Sequence, residues 1–213
     1  MMESDSGFLP PEFFFEFACN CNKIEHFKDD APIFTKAHEL PKVYKMWNEF
    51  GFCKVFMGWH ETGLYFHFDV DAKDIVLSYP DFSKADAIEI FIDTHNAKQS
   101  RSVHRFCHHF FFLPEPCEGV LCGEITRIRS EEIRSLITQD QIVYKARRLK
   151  TGYSVDITLP SDVLFGFEPD TFASIGFTYK VSRSDGFEQN FALSSKHCAI
   201  EQHPYLWASL HLK

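Results

Sequence analysis

No nucleophile or cofactor signature interrupts this sequence. Gly-x-Ser-x-Gly, a phosphate-binding P-loop, His-Glu-x-x-His and Gly-x-Gly-x-x-Gly are all missing, so the commonest routes to hydrolase, nucleotide and dinucleotide chemistry lack their residues. Basic clusters are equally scarce. The one short run is Lys-Ala-Arg-Arg-Leu-Lys (145–150), and 22 Lys and Arg stand against 30 Asp and Glu for a net charge of −8. Such a chain repels nucleic acid and anionic membrane on average, and neither is an expected partner. The apolar stretch at 8–18 is broken by Pro10, Pro11, Glu12 and Glu16, which makes it neither a membrane span nor a signal peptide. The seven Cys are odd in number and show no CxxC spacing, unlike a disulfide scaffold. A reducing, cytoplasmic location is the expectation, with export lacking a cleaved signal left open.

Phenylalanine is abundant instead, at 24 residues against 7 Tyr and 3 Trp. Aromatic side chains favour pleated, half-buried surfaces, which points to strands. A chain of 213 residues removes roughly 70% of its unfolded surface from water on folding, enough for a full core. Strands are expected at 13–21, 53–59, 64–71, 85–93, 105–113, 142–148, 153–159, 173–181, 189–193 and 207–212. His-Glu-Thr-Gly (60–63) joins the second and third as a hairpin, with Leu64, Phe66, Phe68 and Val70 on the core face. Pro114 and Pro116 should end one strand and open a loop over 114–123. Short helices are expected over 131–138, with Ser130 as N-cap, and from Pro160 to Leu164, closed by Gly166. The pattern predicts an all-β chain: a two-sheet antiparallel β-sandwich of jelly-roll type with one or two short helices, in a single domain over 1–213.

Ala-Asp-Ala-Ile-Glu-Ile-Phe-Ile-Asp (85–93) is the most informative stretch. Alternation sends Ile88, Ile90 and Ile92 to one face and Glu89, Phe91 and Asp93 to the other. The three Ile should be buried between the sheets. If the opposite side is solvated, Glu89→Ala should cost about 1 kcal/mol or less. The polar turn Thr-His-Asn-Ala-Lys (94–98) follows. This strand and turn, the 59–70 hairpin, Gly-Tyr-Ser-Val-Asp-Ile-Thr-Leu-Pro (152–160), Ser-Ile-Gly-Phe-Thr-Tyr (174–179) and Leu-Trp-Ala-Ser-Leu (206–210) come in an order that resembles family 9 carbohydrate-binding modules and their DOMON-like relatives. The resemblance implies a non-catalytic β-sandwich binding carbohydrate or a related small polar ligand. It implies one sugar-slot wall from the loop before the 85–93 strand, where Tyr79 and Phe82 stand, and a basic donor after the turn, Lys98 or Arg101. The second wall would be a Trp in the penultimate loop, but 191–196 reads Phe-Ala-Leu-Ser-Ser-Lys. That gap motivates the alternative of a protein-interaction module whose slot is lost. An exposed apolar patch without a concave aromatic slot would favour it.

Other candidates carry two readings each. His104, Cys107, His108 and His109, with His95 nearby, are residue types that bind zinc, copper or haem iron. Strand alternation puts His104 and His108 on one face and Cys107 and His109 on the other, which favours mixed core and surface roles. Asp69, Asp71 and Asp74 have oxygen-ligand spacing for a structural calcium, but lack the Gly and Glu of a dedicated loop. A solvated acidic strand end is the simpler reading. Among the Trp residues, Trp47, flanked by Met46, Asn48 and Glu49, suits an exposed sugar platform; Trp207 reads as core, and Trp59 as either. Glu89 and Asp93 could pair as hydrolytic carboxylates, but no motif supports it.

Overall fold

The computed structural model describes residues 16–47, 50–82, 85–128, 134–195 and 199–213, with only the backbone of Trp47. The expected strand positions at Phe13 and Phe15, the start of the helix expected from residue 131, Lys196 and the Trp47 side chain lie outside the described residues. Among the described residues, thirteen strands follow in chain order. They are β1 (Ala18–Cys21), β2 (Phe27–Lys28), β3 (Ala31–Pro32), β4 (Cys53–His60), β5 (Gly63–Val70), β6 (Ala87–Asp93) and β7 (Cys107–Cys117). Then come β8 (Val120–Glu124), β9 (Val143–Leu149), β10 (Gly152–Pro160), β11 (Ser174–Ser182), β12 (Glu188–Asn190) and β13 (Ala208–Leu212). A seven-stranded sheet runs β1-β13-β11-β6-β7-β8, with β12 paired to β11, and a four-stranded sheet runs β4-β5-β10-β9. Pairing is antiparallel except between β1 and β13.

Period-2 alternation fills the space between the sheets. Ile88, Ile90 and Ile92 of β6 join Phe110 and Phe112 of β7 and Ile175, Phe177, Tyr179 and Val181 of β11. Opposite them stand Leu64, Phe66, Phe68 and Val70 of β5 and Val155, Ile157 and Leu159 of β10. Phe66 stacks on Phe177 at 5.9 Å and Phe68 meets Tyr179 edge-on at 5.8 Å. Eight of the 24 Phe are buried in this core, so the Phe-rich composition serves inter-sheet packing in part. The Gln189 side-chain amide bridges the sheets. Its oxygen accepts the N–H groups of Phe52 and Cys53, each at 2.8 Å, and its nitrogen donates to the Cys53 carbonyl at 2.9 Å and the Tyr179 hydroxyl at 3.0 Å.

Three local expectations are corrected. Pro114 and Pro116 do not stop β7, because the β7–β8 ladder shifts register between Phe112 and Cys117. Proline is tolerated where a bulge removes the need for its missing N–H. The 114–123 segment is therefore a hairpin, turning at Glu118 and Gly119, whose φ of 54° and 83° suit a two-residue primed turn. The helices are not formed either: the helical pieces among the described residues are 3-10 turns at Lys36–His38, Val43–Trp47, Gln139–Gln141, Ile200–Gln202 and Pro204–Leu206. At 134–138 the Ile137 N–H is taken by the buried Glu124 carboxylate at 2.9 Å, and Arg134 folds onto the same group. Pro160 is held in the β5–β10 ladder opposite Gly63, and the chain makes a turn to Gly166 at φ 79°.

Candidate functional site

The outer face of the seven-stranded sheet is not a plain solvated surface. Lys180, Glu89 and Phe111 stand side by side on β11, β6 and β7, and His109 and Phe91 form the next row. Lys180 Nζ donates to Glu89 Oε1 at 2.7 Å, while His109 Nε2 lies 2.8 Å from Glu89 Oε2. The His109 ring stacks on Phe91 at 4.1 Å. Glu89, His109 and Lys180 floor a hollow of about 510 Å³, within the range of small-molecule sites.

Loops build its walls. On one side Tyr79 and Phe82 pack on Phe111, with ring centroids 5.4 and 5.0 Å away. Their loop is closed at its base by Asp86, whose backbone N–H donates to the Val76 carbonyl at 2.8 Å and whose carboxylate accepts the Val76 N–H at 3.0 Å. On the other side, the segment before β13 brings Glu201, Gln202 and the Trp207 ring to the rim. The Trp207 indole N–H donates to the Ile200 carbonyl at 2.7 Å, which fixes its plane. Arg127 and Glu188 complete the polar lining.

The floor is electrostatically set. Burial works to raise the Glu89 carboxyl pKa, but His109 and Lys180 outweigh it and hold it below the usual carboxylate value. Burial works to lower that of Lys180, and Glu89 reverses this and holds the ammonium above its ordinary value. Both are charged at neutral pH. A carboxylate engaged on both oxygens is a hydrogen-bond acceptor, not a poised general acid. Beside the floor, the His109 backbone N–H donates to Thr126 Oγ1 at 2.7 Å, and the Thr126 hydroxyl donates to the buried Glu124 at 2.6 Å. Glu124 also binds Arg134 and His108. Burial favours its neutral form, yet these partners carry it down to about 2.

The structure brings two of the expected slot residues, Tyr79 and Phe82, to the hollow. Lys98 and Arg101 lie outside its lining. Lys98 donates to the Trp207 carbonyl, and burial lowers its pKa to about 8, while Arg101 is exposed. A lining cation missed in the sequence is Lys180, which alternation along β11 makes outward-facing but which no local pattern pairs with Glu89. Trp207 is buried, as expected of core, and its edge also lines the hollow. Trp59, half-buried, donates to the Lys213 carbonyl at 3.2 Å.

Among the His and Cys candidates, alternation holds for Cys107, His108 and His109, which pair with Asp93, Ile92 and Phe91, but not for His104. His108 faces the sandwich interior, His109 the hollow, and His104 sits in the loop before β7, where the two-residue period does not apply. His104 and Cys107 instead converge with Asp93. Burial pushes the Cys107 thiol up to about 12. Asp69, Asp71 and Asp74 form no such group among the described residues.

No family model matches the sequence, and no curated protein matches it. Among solved structures, the chain is similar to a family 9 carbohydrate-binding module from Caldicellulosiruptor kristjanssonii in complex with cellotriose. The TM-score is 0.60 at 15% identity, over 92% of this chain and 93% of that one. A family 9 module from the same organism in complex with glucose gives 0.53 at 17% identity, over 76% of each chain. The chain has the β-sandwich fold of family 9 carbohydrate-binding modules.

Proposed function

We propose that this chain is a non-catalytic module that binds carbohydrate in the hollow over the seven-stranded sheet. The observation that carries the reading is the pairing of an aromatic shelf, Tyr79 and Phe82 on Phe111, with the ionised Glu89–Lys180 pair beside it. A sugar ring has apolar C–H faces and a rim of hydroxyls. The shelf suits the former, and fixed acceptors and donors suit the latter. The concave aromatic slot supports this over the interaction module, which called for a slot that had been lost. The similar folds with bound cellotriose and glucose support the same ligand class.

Isothermal titration with glucose, cellotriose and a wider saccharide panel tests it. Saturable binding is expected, weakened about tenfold or more by Tyr79→Ala and by Lys180→Gln, a loss of about 1.4 kcal/mol or more. Absence of binding to every saccharide at millimolar concentration overturns it.

A further inference from the structure

At the end of β6 away from the aromatic shelf, three side chains of metal-binding type meet. Asp93 closes β6, Cys107 opens β7 directly across the ladder, and His104 reaches both from the preceding loop. A carboxylate oxygen, a ring nitrogen and the thiol sulfur all lie within 4.8 Å of one another. His104 Nε2 is buried without a hydrogen-bond partner, 3.6 Å from Asp93 Oδ2.

We propose that Asp93, His104 and Cys107 form a site for one thiophilic divalent cation, with zinc the ion that their mixed oxygen, nitrogen and sulfur donors fit. Zinc bonds of about 2.0–2.3 Å at tetrahedral angles put neighbouring donors roughly 3.3–3.6 Å apart. The His104–Asp93 spacing already has that span, and the Cys107 sulfur lies within 4.8 Å of both donors. The donors are held from behind. Asp93 Oδ1 accepts the His95 N–H at 3.1 Å and Oδ2 the Ala97 N–H at 2.6 Å, while the Cys107 N–H donates to the His104 carbonyl at 2.9 Å. Such outer contacts orient ligands in protein metal sites. Phe91, Val103, Ile200 and Trp207 pack with Cys107 in one apolar cluster, and Cys107 also borders the hollow described above. Calcium and magnesium are poorly served, because they require oxygen-rich coordination. Three protein donors leave a fourth position for water.

The test is a Co²⁺ titration of the full chain after chelation under reducing conditions. The expected result is one cobalt per chain, tetrahedral ligand-field bands and a thiolate-to-cobalt charge-transfer band, all displaced by one equivalent of Zn²⁺. Cys107→Ala should lose the charge-transfer band, His104→Ala should bind at least tenfold more weakly, and Cys117→Ala should behave as wild type. Apo thermal midpoints monitor folding, and His104, partly exposed, is the substitution least able to disturb it. Absence of stoichiometric uptake by the wild type, a band that survives Cys107→Ala, or undiminished binding by His104→Ala overturns the site. None of these readouts depends on a saccharide.

Discussion

On an isolated strand Glu89 would face water, because Ile88, Ile90 and Ile92 take the core phase. In the molecule it is only 5% exposed, since the Tyr79–Phe82 loop and the segment before β13 cover the outer face as well. Its charge is tolerated because Lys180 and His109 each engage one oxygen. Glu89→Ala should therefore cost more than a solvated glutamate would, about 2–3 kcal/mol, because Lys180 is left partly buried without its carboxylate. Urea unfolding with an unchanged m-value would measure it. Adding Lys180→Met should cost less than the sum of the two single substitutions, since the second change removes an already unpaired charge. A cost for Glu89→Ala below about 0.5 kcal/mol would show that this face is solvated after all.

Among elements, β5 and β6 were legible because their residues alternate without interruption, and the three Ile are buried as their phase required. Elements fixed by distant partners were not. Nothing near Ile137 announces that its N–H belongs to Glu124, and nothing near Pro114 announces a register shift. Tyr79 and Phe82 were pointed to by the family resemblance and line the hollow, whereas Lys180 depends on which strand lies beside β6. Gln189 is hidden in the same way: in sequence it is one polar residue among many, yet it spans the two sheets. Gln189→Leu would keep its bulk but strand two N–H groups of Phe52 and Cys53, together with the Cys53 carbonyl and the Tyr179 hydroxyl. A loss of about 3 kcal/mol is expected. Denaturant unfolding would report it, and a loss below about 1 kcal/mol would mean that water replaces the bridge.

For the whole molecule, the buried ionisable groups define a pH window for stability. Burial keeps His108 neutral and depresses its pKa, despite the opposing pull of Glu124. The unfolded chain therefore takes up the His108 proton first, and that contribution, full above about pH 6.5, declines as pH falls. Glu124 and Glu89 are also depressed. Their contributions are full above about pH 4.5, and that of Glu124 is lost progressively as pH falls through about 2. Asp86 works in the opposite sense, since burial raises its pKa, but it is one group against three. On the alkaline side, burial raises Cys19 and Cys122 to about 11. The unfolded thiols ionise first, so stability should fall again above about pH 9, partly countered by Lys98. The thermal midpoint should thus be highest between about pH 7 and 9 and drop steadily on acidification. Arg134→Ala should lower the neutral-pH plateau by about 3–5 kcal/mol, because Glu124 loses its guanidinium inside the protein. It should also flatten the acid limb below pH 4.5, because Glu124 then titrates nearer its unfolded value. Differential scanning calorimetry from pH 3 to 10 on both proteins would decide this. A midpoint that is flat from pH 7 to 3, or an acid limb unchanged by Arg134→Ala, would remove the Glu124 network as its source.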